Sequence, residues 1–249
     1  YNLRYTGTGT GVVYGIHLGG ATTNNVYNNM VYDLRATGST SGATAPATRA
    51  ISITSGTNNN IWNNSVYLNS TGSNANFGTA ALYVSTTSPT MVIDLKNNIF
   101  VNESVPGATG KSVAFWRAAA TGVGILSASS DKNMYYTVEP PTAARPMGYF
   151  YATSTTWNTY ETLAAYKAMT VNKDQAAYWE FAPFGSTSGT INLHLRNDIA
   201  TRAEGNAIPI QPPVTMDFDF QSRDATTPDI GADEGSFTAV AGEPGQVTL

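Results

Sequence analysis

The chain has 249 residues, of which 41% are hydrophobic and only 12% are charged, and its formal net charge is −4. Its 13 Lys and Arg residues form no cluster, so no nucleic-acid partner is expected. The absence of cysteine excludes thiolate metal sites and disulfides. No apolar run approaches the roughly 20 residues of a membrane-spanning helix, so no membrane insertion is expected.

The N-terminal half contains a repeat. Residues 24–32 read Asn-Asn-Val-Tyr-Asn-Asn-Met-Val-Tyr, and residues 59–67, which start 35 residues later, read Asn-Asn-Ile-Trp-Asn-Asn-Ser-Val-Tyr. Related segments follow at 95–102 and 131–136. A short apolar segment precedes each copy, and these segments are Gly15–Leu18, Ala50–Ile53, Ala81–Val84 and Val113–Trp116. A repeat of this length is typical of a solenoid.

An Asn pair marks a bend in each copy. The flanking residues alternate between apolar and polar and are rich in β-branched and aromatic types, which indicates short strands. Asn tolerates the left-handed backbone of a tight bend. When such bends stack coil upon coil, each amide can bond to the amides above and below it. We therefore expect Asn28, Asn63 and Asn97 to form an inward-facing ladder.

Connectors rich in Gly, Ser, Thr and Ala separate the coils, at Ala36–Arg49, Ser70–Ala80 and Glu103–Lys111. Because they recur at the same phase of the repeat, we expect them to lie side by side on one side of the solenoid. Such a row is either a loop surface that binds a ligand or a set of tolerated insertions.

The C-terminal half is predicted to be less regular. A Pro-rich turn leads to a strand at Tyr149–Tyr151, and a helix is predicted over residues 158–169, where Asn158 and Glu161 have capping-box spacing. A further strand is predicted at Ile191–Leu195. The predicted organisation is β-helix coils over residues 1–136, C-terminal coils with the helix and a closing segment over residues 137–238, and a linker or terminal strand over residues 239–249.

Several of these segments resemble a known family. The resemblance lies in the coil segments 59–67 and 96–102, in Asp217–Arg223 (Asp-Phe-Asp-Phe-Gln-Ser-Arg) and in Pro228–Glu234 (Pro-Asp-Ile-Gly-Ala-Asp-Glu). These segments are similar to secreted bacterial right-handed parallel β-helix repeat proteins of the pectate-lyase-like superfold. They are similar in particular to the exported and surface proteins of Bacteroidetes-like bacteria. With the predicted helix, the resemblance implies an all-β, right-handed parallel β-helix with one short side-packed helix and an irregular C-terminal closing segment. It also implies a secreted or cell-surface location. It does not imply an activity, because this fold carries lyases, hydrolases, adhesins and scaffolds.

Sequence patterns for catalysis are weak. His17 and His194 each alternate with apolar neighbours on a predicted strand, so each is expected to be structural or to face solvent. The acid pattern of polygalacturonases and the Ca²⁺-binding Asp cluster of pectate lyases have no match. Asp94 and Lys96 lie on one face of a strand and form either a surface ion pair or part of a site.

Acidic residues concentrate near the C-terminus. Asp217 and Asp219 are predicted on one strand face about 7 Å apart, which suits a hard cation such as Ca²⁺. The alternatives are ion pairing of Arg223 with Asp217 or Asp229, and a catalytic role. Apart from this Ca²⁺ candidate, no cofactor is expected.

Three aromatic residues, Tyr27, Trp62 and Phe100, are placed by the repeat at corresponding positions. If they face outward they form a platform on which sugars can stack, and if they face inward they belong to the core.

The leading functional hypothesis is a non-catalytic extracellular module, either a surface adhesin or a structural unit of a larger exported protein, that binds a polysaccharide or another cell-surface molecule. The alternative is a polysaccharide lyase or glycoside hydrolase acting on an extracellular polysaccharide. The strand-like start, Tyr1–Tyr5, leaves a strand edge open, which predicts further repeats of a longer parent chain or end-to-end self-association.

Overall fold

The described part of the chain folds into a parallel β-solenoid with one short helix, as predicted. The structure is a computed structural model, and it describes residues 3–41, 45–119, 124–153 and 156–241. The strands, in chain order, are β1 (Leu3–Arg4), β2 (Val13–Leu18), β3 (Thr23–Tyr27), β4 (Met30–Val31), β5 (Leu34–Arg35), β6 (Thr48–Ile53), β7 (Asn58–Trp62), β8 (Ser65–Leu68), β9 (Thr79–Val84), β10 (Val92–Lys96), β11 (Ile99–Asn102), β12 (Ser112–Arg117), β13 (Met134–Tyr136), β14 (Gly148–Thr153), β15 (Thr156–Tyr160), β16 (Tyr178–Trp179), β17 (Phe184–Ser186), β18 (Asn192–Leu195), β19 (Ala200–Thr201) and β20 (Thr238–Ala239). The helix, α1, spans Leu163–Thr170. In the described part of the chain no helix has the length and apolar character needed to cross a membrane.

Three sheets form the walls of the solenoid. Their strand orders are β15-β14-β12-β9-β6-β2, β16-β13-β11-β8-β4 and β10-β7-β3. The second coil shows the plan, since β6, β7 and β8 follow one another in sequence and each enters a different sheet. Apart from the antiparallel pair β14 and β15, the strands within these sheets pair in parallel. Apolar residues at equivalent positions therefore stack from coil to coil and form the core.

The apolar strand of the fourth coil differs from its predicted position by one residue. Ile51 pairs with Leu82, and Leu82 pairs with Phe115, so the segment equivalent to Ala81–Val84 starts at Ala114 and not at Val113. A one-residue shift exchanges the two faces of a strand. It therefore places Phe115 in the core, in edge contact with Phe150.

The first residue of each Asn pair makes the bend. Asn28, Asn63 and Asn97 have φ angles of 55°, 48° and 56°, in the left-handed region. Nδ2 of Asn97 donates to Oδ1 of Asn63 at 3.3 Å. However, Nδ2 of Asn63 donates to the backbone oxygen of Asp229, and Nδ2 of Asn97 also donates to the backbone oxygen of Ile208. These side chains therefore contact the C-terminal part of the chain and do not point into the solenoid.

The inward ladder is formed by the second residue of each pair, so the prediction for Asn28, Asn63 and Asn97 is wrong by one residue. Nδ2 of Asn29 donates to Oδ1 of Asn64 at 2.9 Å, Asn64 donates to Asn98 at 2.9 Å, and Asn98 donates to Asn133 at 2.8 Å. The left-handed residue turns the chain, and the residue after it is the one whose amide points inward.

The connectors lie side by side, as predicted. The backbone N of Ser73 donates to the oxygen of Thr37 at 3.1 Å, and that of Thr109 donates to the oxygen of Ala75 at 2.8 Å. Residues 42–44 of the first connector lie outside the described residues. The same is true of residues 1–2 of the predicted N-terminal strand and of residues 242–249 of the predicted C-terminal linker.

The helix begins later than predicted. Asn158 lies in β15, where it pairs with Phe150 of β14, and Trp157 next to it stacks on Tyr149 at 4.7 Å. Thr162 is the N-cap, and its hydroxyl accepts a hydrogen bond from the backbone N of Ala165 at 3.2 Å. Cross-strand pairing and aromatic stacking therefore outweigh the capping-box pattern of the sequence.

After α1 the chain returns along the outside of the sheet that contains β8 and β11. We call residues 200–239 the closing segment; it starts at β19 and ends at β20, which pair with each other. Its residue Gly231 has a φ of 103°, and a Cβ there would lie 2.6 Å from Cδ1 of Ile99. The backbone N of Gly231 donates to the oxygen of Asn97 at 2.8 Å. Only glycine allows this close approach, which covers the outer face of the sheet.

Candidate binding cleft at the end of the closing segment

The closing segment reaches the first coil with a tip loop, Met216–Gln221. Its conformation is held by Asp217, which is 4% exposed. Oδ1 of Asp217 accepts hydrogen bonds from the backbone N of Asp219 at 2.9 Å and of Gln221 at 2.7 Å. Oδ2 accepts from the backbone N of Glu234 at 3.1 Å. The carboxylate therefore fixes the tip loop from inside.

Apolar side chains of the tip loop face solvent. Met216, Phe218 and Phe220 are 44%, 43% and 85% exposed. The φ of Phe220 is 64°, in the left-handed region that a bulky aromatic residue rarely adopts, at a cost of about 1–3 kcal/mol. This side chain gains little from burial, so folding does not explain the choice of Phe. Strained backbone of this kind is concentrated at binding sites.

An open cleft of about 340 Å³ lies between the tip loop and the first coil. It is lined by Tyr27, Asn28, Pro213, Thr215, Met216, Asp217, Phe218 and Phe220. Asn28 joins the two sides, because its Nδ2 donates to the backbone oxygen of Met216 and its Oδ1 accepts from Nη2 of Arg223 at 2.9 Å. Tyr27 is 36% exposed on the coil side. The cleft therefore combines exposed aromatic rings with walls that are fixed by hydrogen bonds.

Only two of the three aromatic residues predicted as one row are neighbours. Tyr27 pairs with Trp62 in register, but the residue that follows Trp62 in the row is Lys96. Trp62 is largely buried, and its Nε1 donates to Oδ2 of Asp94 at 3.0 Å. Phe100 lies in another sheet and is fully buried. The row is therefore wrong for Phe100, because the left-handed bend separates it from the strand of Trp62.

Lys96, in contrast, forms the ion pair with Asp94 that was one of the two predicted alternatives. Its Nζ lies 2.8 Å from Oδ2 of Asp94. Oδ1 of the same carboxylate accepts a hydrogen bond from the hydroxyl of Ser129 at 2.8 Å. Together with Trp62, which donates to the same carboxylate, this cluster links three neighbouring coils.

The two aspartates predicted as a cation site have different partners. Asp217 is occupied by the three backbone N–H groups described above. Oδ2 of Asp219 lies 2.7 Å from Nε2 of His194, and the carboxylate of Asp233 lies nearby. His194, Asp219 and Asp233 each offer one ligand atom, and these atoms lie within 4.8 Å of one another.

Arg223 pairs with neither predicted aspartate. Its Nη1 lies 3.0 Å from Oε2 of Glu234, and both side chains are buried. It also donates to the backbone oxygens of Asp229 and Gly231. Burial lowers the pKa of Arg223, and burial together with the charge of Glu234 raises the pKa of Asp229 to about 8. This network anchors the closing segment.

The sequence interpretation did not identify His194, Asp233, Phe218 or Phe220 as site residues. The alternation Asp-Phe-Asp-Phe would place one residue type on each face of an extended segment. Asp217 to Phe220 form a turn instead, in which the backbone N of Phe220 donates to the oxygen of Asp217, so the pattern does not predict that the Phe side chains face solvent. The sequence gives no signal for His194 and Asp233 either, because they come from separate segments.

Comparison with known proteins gives no match. No family model, curated protein or solved structure matches this chain.

Proposed function

We propose that the chain is a non-catalytic module of an exported or cell-surface protein, an adhesin or structural unit, and that it binds an extracellular polysaccharide in the cleft between Tyr27 and the tip loop. The observation that carries the proposal is the exposed set of Tyr27, Phe218 and Phe220 around one cleft. The C–H faces of sugar rings pack on aromatic rings, while amide and carbonyl groups at the edge bond to hydroxyls.

The lining of the cleft favours binding over catalysis. Glycoside hydrolysis uses two carboxyl groups about 5–10 Å apart, one on each side of the scissile bond. Asp217 is the one carboxylate among the lining residues, and its oxygens accept three backbone hydrogen bonds. Among the described residues that line the cleft it has no acidic partner, and only 4% of its surface is exposed.

The ends of the sheets support a role as a structural unit. In the described part of the chain, β2, β3 and β4 are the edge strands of the three solenoid sheets at the first coil. Terminal strands carry unpaired backbone groups that can pair with a further coil or with a neighbouring molecule.

A glycan array probed with the full chain, run beside reducing-sugar and unsaturated-product assays, tests the proposal. We expect binding to a polysaccharide without product formation, and loss of binding in Tyr27→Ala and Phe220→Ala. Val105→Ala is a matched control, because Val105 is an exposed apolar residue at 54% exposure on a connector. Product formation would establish the enzyme alternative. Binding that Tyr27→Ala and Phe220→Ala leave intact would exclude the cleft.

A further inference from the structure

We propose that His194, Asp219 and Asp233 form a binding site for a divalent transition-metal ion of the Zn²⁺ class. The site lies behind Phe218, whose ring meets the His194 ring edge-on with centroids 6.1 Å apart. This inference does not depend on glycan binding in the cleft.

Three different segments bring the ligand atoms together. His194 lies in β18, and Asp219 lies in the tip loop. Asp233 is buried, and its Oδ2 accepts a hydrogen bond from the backbone N of Leu195 at 2.7 Å, which holds the carboxylate beside β18. The three ligand atoms lie within 4.8 Å of one another. An ion bound here would join β18 to both ends of the segment 219–233.

Asn192 orients the imidazole as in metal sites. Oδ1 of Asn192 accepts a hydrogen bond from the backbone N of His194 at 3.1 Å. A backbone N–H can only donate, so the amide orientation is defined and Oδ1 is an acceptor. The same Oδ1 contacts Nδ1 of His194, which therefore carries the ring proton. A metal-bound His is typically held in this way, with one ring nitrogen donating to an acceptor outside the site.

Nε2 of His194 therefore faces a carboxylate. It lies 2.7 Å from Oδ2 of Asp219. With a proton on Nε2 this contact is an ion pair, and a bound metal ion would take the place of that proton between the two atoms. Asp233 adds a second carboxylate.

The donor set selects the class of ion. Imidazole with carboxylates suits Zn²⁺ and related ions, whereas Ca²⁺ prefers six to eight oxygen ligands. Bonds of about 2.0–2.2 Å require ligand atoms about 3.3 Å apart in a tetrahedral site. Nε2 of His194 and Oδ2 of Asp219, now 2.7 Å apart, would have to separate by about 0.6 Å, and ligand atoms as far as 4.8 Å apart would have to approach by up to about 1.5 Å. The side chain of Asp219 is 38% exposed and is the one that can move. Three protein ligands leave a fourth position for water or another ligand.

Isothermal titration of the metal-free full chain with Zn²⁺, and separately with Ca²⁺, tests the site. We expect one Zn²⁺ per chain, with affinity at least about tenfold weaker in Asp219→Asn, His194→Gln and Asn192→Ala. His17→Gln is the matched control, because His17 lies on β2, where it bonds to Thr54 and stacks on Tyr14. In ¹⁵N NMR spectra, Nε2 of His194 should shift on Zn²⁺ addition and the nitrogens of His17 should not.

The two residues chosen for ligand substitution are partly exposed, so the variants are expected to fold, and circular dichroism checks this. Zn²⁺ binding that both ligand variants retain would overturn the proposal. So would the absence of binding at millimolar Zn²⁺, or binding of Ca²⁺ in preference to Zn²⁺.

Discussion

Asn133 donates from Nδ2 to Oδ1 of Asp174 at 2.9 Å, and this contact ends the amide ladder at a carboxylate. Oδ2 of Asp174 accepts from the hydroxyls of Tyr135 at 2.6 Å and Tyr166 at 2.9 Å. Each ladder Asn points its Nδ2 toward the next coil, so the last coil has to supply an acceptor. A carboxylate is acceptor-only and ends the ladder without a donor of its own. Helix α1 supplies Tyr166 and packs over this end.

The burial of Asp174 predicts a pH dependence of stability. Burial raises its pKa from 3.8 to about 6, although the Tyr and Asn donors oppose the shift. Because the folded pKa is raised, this carboxyl costs no stability below about pH 4. Its cost grows as the pH rises to about 6, reaches roughly 3 kcal/mol, and is constant above that. Urea unfolding of the wild type and Asp174→Asn at several pH values measures this cost. We expect the free energy of unfolding of Asp174→Asn, relative to that of the wild type, to increase between pH 4 and pH 7. Identical pH profiles of the two proteins would contradict a raised pKa of Asp174.

The two residues of an Asn pair should respond differently to substitution. The amide of Asn64 donates to the backbone oxygens of Val26 and Trp62, each at 2.9 Å, as well as to Asn98. Asn64→Ala leaves these buried acceptors unpaired and should cost roughly 2–3 kcal/mol. Asn63→Gly keeps the left-handed backbone and loses only bonds of 3.3 Å, so we expect about 1 kcal/mol or less. Urea midpoints compare the two variants, and equal losses would argue against distinct roles.

Because the backbone at Phe220 is strained, we expect a substitution there to reduce glycan binding without reducing stability. Asn tolerates a φ of 64° better than Phe, and the exposed ring contributes little to packing. Phe220→Asn should therefore leave the melting temperature unchanged or raised while glycan binding is lost. Phe218→Asn, at the neighbouring exposed position, should reduce binding without this gain in stability. A clear loss of stability in Phe220→Asn would show that the ring packs in the fold.

The buried ion pair predicts where the closing segment is weakest. Glu234→Ala leaves the buried guanidinium of Arg223 without its carboxylate and should cost about 3–5 kcal/mol. Hydrogen exchange should then increase first in the closing segment, before the coils. The control is Asp198→Ala, which breaks an exposed pair with Arg196 of 2.6 Å and should leave the melting temperature unchanged. Uniform exchange across the chain would contradict a separately anchored segment.

The repeat, its strands and the solenoid follow from the sequence alone. A solenoid encodes its contacts locally, because residues one period apart, such as Ile16 and Ile51, become neighbours in adjacent coils. The same logic predicted the row of connectors and the bend at each Asn pair. These features need only the period and the residue types.

Tertiary structure decided which face a side chain occupies and which distant segments of the chain come together. The inward ladder uses Asn64 and not Asn63, because one left-handed residue sets which side chain turns inward, and two consecutive Asn residues interrupt the alternation that would otherwise tell the two faces apart. Helix α1 starts at Leu163 because β15 pairs with β14. His194 meets Asp219 and Asp233 only because the closing segment folds back over the sheet. No local periodicity encodes that path, which depends on buried contacts such as those of Gly231 and Arg223.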